Sequence, residues 1–188
     1  MNDSDLVVTR AFAAAEAAAI VAEASRCPTW HDAGINASLE VDRAVRDAEI
    51  LFEADAPALI GRCRDGLFAA TRSIAAGAAP KTVLAEIQIV RYHAGGKYVE
   101  HRDSPAPNAT PRALSLVCYL NDDFTGGETV FTDPARTISA LTGNVIVFPP
   151  TLLHRANPVI TGTKYVLTAW YHTRPPDIPS VSKDSDKT

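Results

Sequence analysis

LAEIQIVRY, residues 84–92, is where the grammar of this chain changes. Ile87 and Ile89 fall on one side of an extended backbone and Glu86, Gln88, Val90 and Tyr92 on the other, a repeat of two that suits a strand and not a helix. Downstream, turn signals arrive regularly at Gly95-Gly96, Asn121 to Asp123, Gly126-Gly127, Gly143-Asn144, Pro149-Pro150 and Thr161-Gly162-Thr163. Between them lie runs rich in Val, Ile, Leu and Tyr at 113–120, 128–132, 144–148 and 164–172. Many short strands at that spacing predict a sandwich or jelly roll.

Upstream of residue 84 the apolar period is near 3.6. Thr9 to Arg26 is Ala-rich, with Phe12, Ala15, Ala19, Ile20 and Ala22 at three- and four-residue steps, which predicts an amphipathic helix closed by Cys27-Pro28. Leu59, Ile60, Cys63, Leu67, Phe68 and Ile74 predict a second helix from Ala56 to about Ala76, ending near Gly77 with Pro80 as a stop. Residues 29–54 mix Gly34, Asn36 and scattered charge and stay mostly unassigned. The expected fold is therefore mostly β with flanking α-helices, in a single domain over residues 1–174. Helical support over about 9–80 covers one face of a sheet, and the β core occupies about 82–174. Residues 175–188 read as a disordered tail, and SPAPNATPR, residues 104–112, with three prolines, reads as mobile.

Composition excludes several functional classes. With 188 residues, 46% hydrophobic and 21% charged, the chain has the balance of a soluble globular domain and can bury one sizeable core. Eighteen Lys and Arg against 22 Asp and Glu leave no basic field for a polyphosphate backbone, so no nucleic-acid partner is expected. Cys27, Cys63 and Cys118 form no CxxC pair and predict reduced thiols rather than a disulfide framework or a thiolate zinc site. The acidic start MNDSDLVVTR and the lack of any apolar run of membrane length lead to an expected cytoplasmic location with no membrane association.

The chemistry concentrates after the change of period. In His101-Arg102-Asp103 an imidazole and a carboxylate sit two residues apart, and on an extended chain such positions project to the same side. They can share one metal. His154, which follows the strand NVIVFPP where the chain bends, is the natural third ligand. Two histidines and one carboxylate on one face of a metal leave positions open, the arrangement of non-haem Fe(II) oxygenases. Ten residues on, Lys164, Val166, Thr168 and Trp170 share one face of the last strand, and Tyr165, Leu167, Ala169 and Tyr171 the other. A lysine, a hydroxyl and an indole would line one cavity.

The strings YHAGGKYVEHRD, LVCYLNDDFTGGETVF and FPPTLLHRANPVITGTKYVLTAWY, within residues 84–173, resemble the catalytic core of the prolyl 4-hydroxylase-like branch of the 2-oxoglutarate and Fe(II)-dependent dioxygenases. The resemblance implies a double-stranded β-helix, a jelly-roll core with iron at one open end, and an enzyme that uses O2 to hydroxylate an unactivated C–H bond while releasing succinate and CO2. It implies His101, Asp103 and His154 as iron ligands and Lys164 as the partner of the distal carboxylate of 2-oxoglutarate. It matches Tyr119 and Thr129 to hydrogen-bonding positions for that cosubstrate, Tyr92 to a tyrosine near its chelating end, and Trp170 to an aromatic wall. Fe(II), 2-oxoglutarate and O2 are thus the expected cofactors, with ascorbate supportive. The expected substrate is a peptidyl-proline or another amino-acid side chain, with residues 104–112 as a lid that orders when substrate binds. A free amino acid or small metabolite stays open, as do a non-oxidative metal hydrolase and a 2-oxoglutarate-binding sensor. His31, His93 and His172 are read as surface or hydrogen-bonded histidines, Arg102 and Arg155 as solvated, and Tyr98, Gly126 and Gly127 as structural.

Overall fold

A computed structural model describes residues 6–35, 40–78, 82–103, 111–133 and 135–173. The expected tail at 175–188, and all of the expected lid except Pro111 and Arg112, lie outside the described residues. The chain opens with β1 (Val7–Arg10) and α1 (Ala14–Ala24). It runs through β2 (His31–Asp32), β3 (Arg46–Asp47) and β4 (Glu49–Leu51) into α2 (Pro57–Ala78). Strands then follow one another: β5 (Thr82–Tyr92), β6 (Lys97–His101), β7 (Arg112–Tyr119), β8 (Thr125–Gly126), β9 (Thr129–Thr132), β10 (Ala135–Ile138), β11 (Asn144–Phe148), β12 (His154–Ala156), β13 (Val159–Thr161) and β14 (Lys164–Thr173).

A seven-stranded sheet, ordered β1-β11-β7-β14-β5-β4-β2, faces a five-stranded sheet, β10-β9-β12-β6-β3, and β13 pairs with β8. Every pairing is antiparallel. Between the two sheets lies one apolar cluster, built from Val90, Tyr92, Tyr119, Ile146, Phe148 and Val166 on one side and Phe131 on the other. A second cluster joins the outer face of the seven-stranded sheet, including Ile89, Leu116, Cys118, Val147 and Leu167, to Ile20 of α1 and Leu59, Ile60, Cys63 and Leu67 of α2. The seven-stranded sheet is thus buried on both faces. That is why NVIVF is apolar without alternation, as a doubly covered strand must be.

Three local expectations change. The predicted first helix began at Thr9, but Val7–Arg10 is a strand lying antiparallel along β11, so the N-terminal support is not helical from its start. The bare edge of β11 supplies hydrogen-bond partners that outweigh weak local preference. Helix α1 starts at Ala14, where the Glu16 carboxylate accepts the Ala13 backbone N–H at 2.7 Å. Its buried stripe is Ala17, Ile20 and Ala24, and Ala15, Ala19 and Ala22 are exposed. In an Ala-rich helix most positions are chemically alike, so packing sets the phase. The unassigned stretch 29–54 contributes β2 and β4, which extend one edge of the large sheet, and β3, which pairs with β6.

The long strand β5 is bulged. Ala169 pairs with Ile87, yet Tyr171, two residues on, pairs with Leu84, so β5 carries one extra residue there. A strict repeat of two would put Leu84 on the side of Glu86 and Gln88. The bulge returns it to the helix-facing core with Ile87 and Ile89, while Glu86 and Gln88 face the cavity. At the other end of the fold, Gly143 adopts φ 83 and its carbonyl accepts the backbone N–H of both Ala11 and Phe12.

A side chain at Gly143 would place its Cβ 2.0 Å from the Phe12 carbonyl oxygen. Gly143→Ala is therefore expected to lower unfolding free energy by at least about 1–3 kcal/mol, read from the urea midpoint. Gly61→Ala on α2, where nothing lies within 4 Å of the new methyl, is expected to raise it by roughly 0.5–1 kcal/mol. Equal midpoints for the two variants would contradict this docking of β1.

Candidate metal centre

The antiparallel pairing of β12 with β6 sets His154 directly opposite His101. Cross-strand neighbours project to the same face, and the two imidazole rings lie 4.3 Å apart between centroids. Asp103 follows β6 by two residues, and its backbone N–H donates to the Pro150 carbonyl at 2.9 Å, tying it to the turn that precedes His154. Each histidine donates its Nδ1 hydrogen to a backbone carbonyl two residues back, His101 to Val99 at 2.8 Å and His154 to Leu152 at 2.9 Å. A carbonyl only accepts, so this assigns the tautomer and turns both Nε2 lone pairs inward. His101 Nε2 lies 3.5 Å from Asp103 Oδ1, and His154 Nε2 lies 3.9 Å from Oδ2. Ligand atoms of His101, Asp103 and His154 all fall within 4.8 Å of one another.

Three acceptors aimed at one spot need a cation there, either a proton on an imidazole or a metal ion. The environment prepares for the second. Burial pushes the His154 pKa down, against the attraction of Asp103, which favours the neutral ring that can ligate. Burial alone would push the Asp103 carboxyl up, but the facing His101 and His154 rings outweigh it and hold the group as a carboxylate. Nitrogen from two imidazoles and oxygen from one carboxylate, with carbonyls fixing the rings from behind, is a donor set that fits ferrous iron. Ring contacts lock the geometry further. Tyr98 stacks on His101 at 3.5 Å, and Phe148 meets His154 edge-on at 4.8 Å.

The triad opens into a cavity of about 1240 Å³ that Tyr92, Thr129, Lys164 and Trp170 also line. Lys164 is 1% exposed, and its Nζ donates to the Gly127 carbonyl at 2.6 Å while lying 5.0 and 5.3 Å from the ring centroids of Tyr92 and Tyr119. Gly127, with φ 68, packs against the stem of Lys164 as well as forming a turn, because a Cβ there would come 3.2 Å from Lys164 Cδ. Tyr119 does not line the cavity. Its hydroxyl sits behind the wall, 2.7 Å from Thr129 Oγ1, and accepts the Thr129 backbone N–H at 3.1 Å. Trp170 does more than form a wall: its indole N–H donates to Asp103 Oδ2 at 3.1 Å.

Several cavity residues escaped the sequence reading. Tyr98, read as structural, stacks on a triad histidine, and the alternation of KYVEH, with Tyr98 and His101 three apart, gave no sign of it. Arg46 and Trp30 come from the unassigned stretch, and Arg112 was taken as the end of a mobile segment. His172, Arg102 and Arg155 line the cavity as well. His93 is held by Glu49 and Thr163, in keeping with its structural reading.

With the geometry in hand, comparison with known proteins is informative. Residues 87–172 match the model of the 2OG-Fe(II) oxygenase superfamily. A PKHD-type hydroxylase from Delftia acidovorans is 33% identical over 93 residues, 44% of this chain and 41% of the relative. Another, from Hyphomonas neptunium, is 28% identical over 156 residues, 77% of this chain and 68% of the relative. The chain spans less than half the length of the first curated relatives it matches. Among solved structures, a prolyl hydroxylase from Trichoplax adhaerens, in complex with a hypoxia inducible factor peptide fragment, superimposes with TM-score 0.71 at 17% identity, covering 91% of this chain and 84% of that one. A prolyl-4-hydroxylase from Pseudomonas putida does so with TM-score 0.64 at 20% identity, covering 89% and 92%.

The fold is thus the double-stranded β-helix of the 2-oxoglutarate oxygenases. Within it, residues 87–172 resemble the 2OG-Fe(II) oxygenase superfamily, a family dependent on Fe(II) and 2-oxoglutarate, and PKHD-type hydroxylases are among the curated proteins similar to this segment. Among the described residues no helix is long and apolar enough to cross a membrane.

Burial lowers the Lys164 pKa from 10.5 to about 7, opposed only weakly by Glu128. Between those two values the unfolded chain holds a proton that the folded chain does not, so this group makes stability rise with pH from about 7 to 10.5 and adds no slope below 7. Lys164→Met removes the desolvated cation. Its melting temperature is expected to exceed that of the parent most at pH 6–7, with the gap closing as pH rises. Thermal unfolding across pH 6–10 reads this directly, and a gap that widens with pH would overturn it.

Proposed function

We propose that the protein is an Fe(II)- and 2-oxoglutarate-dependent hydroxylase in which His101, Asp103 and His154 hold the iron and Lys164 binds the distal carboxylate of 2-oxoglutarate. The observation that carries this reading is the convergence of three inward-facing ligand atoms and one buried lysine on a single cavity. Bound there, the iron supplies activation of O2 coupled to decarboxylation of 2-oxoglutarate, giving succinate, CO2 and an oxidant able to hydroxylate a C–H bond.

The protein's own groups prepare that chemistry. The two backbone carbonyls keep His101 and His154 as neutral ligands, and Asp103 offsets part of the metal charge. Lys164 is desolvated and bonded to a single carbonyl, so an arriving carboxylate favours its protonated form and pairs with an ammonium that water does not screen. Tyr119 holds Thr129 in place beside it, and Tyr92 forms the wall between Lys164 and the triad. Aromatic and aliphatic packing around the histidines excludes bulk water. We infer a substrate that presents a C–H bond from a peptidyl-proline or another amino-acid side chain, in keeping with the prolyl and PKHD-type hydroxylases among its relatives. O2 is the oxidant, and ascorbate would keep the iron ferrous.

Succinate release with Fe(II), ascorbate and 2-oxoglutarate, measured across proline-containing peptides, free amino acids and cell extract, tests the reading and sorts the substrate classes. Asp103→Ala is expected to weaken metal binding and abolish coupled succinate release. Lys164→Ala is expected to retain the metal and raise the 2-oxoglutarate concentration required by roughly 10- to 150-fold, the loss of one hydrogen bond to a charged group. Unaltered 2-oxoglutarate dependence in Lys164→Ala would sink the assignment of that residue. Turnover of a substrate without 2-oxoglutarate would sink the oxygenase reading itself.

A further inference from the structure

Asp103 is held at three atoms, one of them an oxygen of its carboxylate. Its backbone N–H donates to Pro150, its backbone carbonyl accepts Arg112 Nη1 at 3.1 Å, and its Oδ2 accepts the indole N–H of Trp170 at 3.1 Å. Trp170 is set by the strand on one side and by Arg112 on the other. It pairs with Ser115 across β14 and β7, and the Arg112 guanidinium lies 4.0 Å over its ring. Arg112 is in turn held by Glu86, which shares the cavity side of β5 with Gln88.

The remaining oxygen, Oδ1, faces His101 Nε2 at 3.5 Å. A carboxylate can ligate a metal through one oxygen or both. An indole is a donor only, and its bond to a carboxylate is charge-assisted, so it competes with any metal for the lone pairs of Oδ2. Resting on the iron-site reading above, we propose that Trp170 is a positioning residue: its indole N–H, clamped by Arg112, occupies Oδ2 so that Asp103 ligates through Oδ1 alone. A two-oxygen mode would consume one of the positions that a chelating cosubstrate and O2 both require. Packing alone could be served by any aromatic ring of this size, whereas the proposal requires the hydrogen.

The test replaces the N–H and keeps the shape. In the full chain, Trp170 is exchanged for 3-benzothienylalanine, whose sulfur cannot donate, alongside Trp170→Phe. Mn(II) affinity is read by electron paramagnetic resonance of the free ion, and coordination by the visible absorption of bound Co(II). The isostere is expected to weaken Mn(II) binding by about 10- to 100-fold and to alter the Co(II) spectrum, with unfolding temperature unchanged. Mn(II) binding within twofold of the parent and an identical Co(II) spectrum would overturn the role given to Trp170 and leave the metal centre standing. A parent chain that takes up neither ion would overturn the metal centre as well. Should Trp170→Phe fail to fold, the isostere decides alone.

Discussion

The antiparallel register of β12 on β6 is the constraint on which the rest of the site depends. It makes His154 the cross-strand partner of His101, residues that lie far apart along the chain, and so brings two imidazoles together with Asp103. The same register has a cost. His154 is buried, Asp103 nearly so, and three acceptors face one another in a poorly screened space. The fold carries that cost with its apolar clusters on both sides of the large sheet, and it limits the cost by giving every outward-facing ring nitrogen a backbone carbonyl.

A second concentration of strain sits deeper in the cavity. Lys164 is buried with its Nζ donating to one carbonyl, and burial lowers its pKa because the surroundings suit a cation poorly. That mismatch is useful for binding. In the proposed function that mismatch favours an anion, because a carboxylate brought beside Lys164 would stabilise an ammonium that water does not screen. Gly127 makes the arrangement sterically feasible, because any side chain there would press on the lysine stem.

The residues around the triad act in a chain rather than singly. Glu86 holds Arg112, Arg112 covers Trp170 and binds the Asp103 backbone, and Trp170 binds the Asp103 carboxylate. Glu86 stands beside the cavity by simple alternation with Gln88, while the bulge in β5 turns Leu84 away to the core. The side of β5 that Glu86 takes is visible in the spacing of its residues, whereas the turn of Leu84 is not, because an unbroken repeat of two places Leu84 and Glu86 on the same face.

Where the strands lie was largely legible, because 113–120, 128–132, 144–148 and 164–172 are short, rich in β-branched and aromatic residues, and bounded by turns, all of which are local properties. The faces of β14 were legible for the same reason: strict alternation puts Lys164, Thr168 and Trp170 together without reference to any other element. The phase of α1 was not, since alanine on one face resembles alanine on another until a sheet is packed against it. Nor were β1 to β4, whose partners lie elsewhere in the chain and whose own residues carry weak preference. The sequence by itself determined the kind of side chains available and their order. Tertiary structure alone decided which nitrogen of each histidine points inward, that Tyr98 stacks on His101, and that Trp170 bonds to Asp103, because each follows from contacts between strands that only registry brings together.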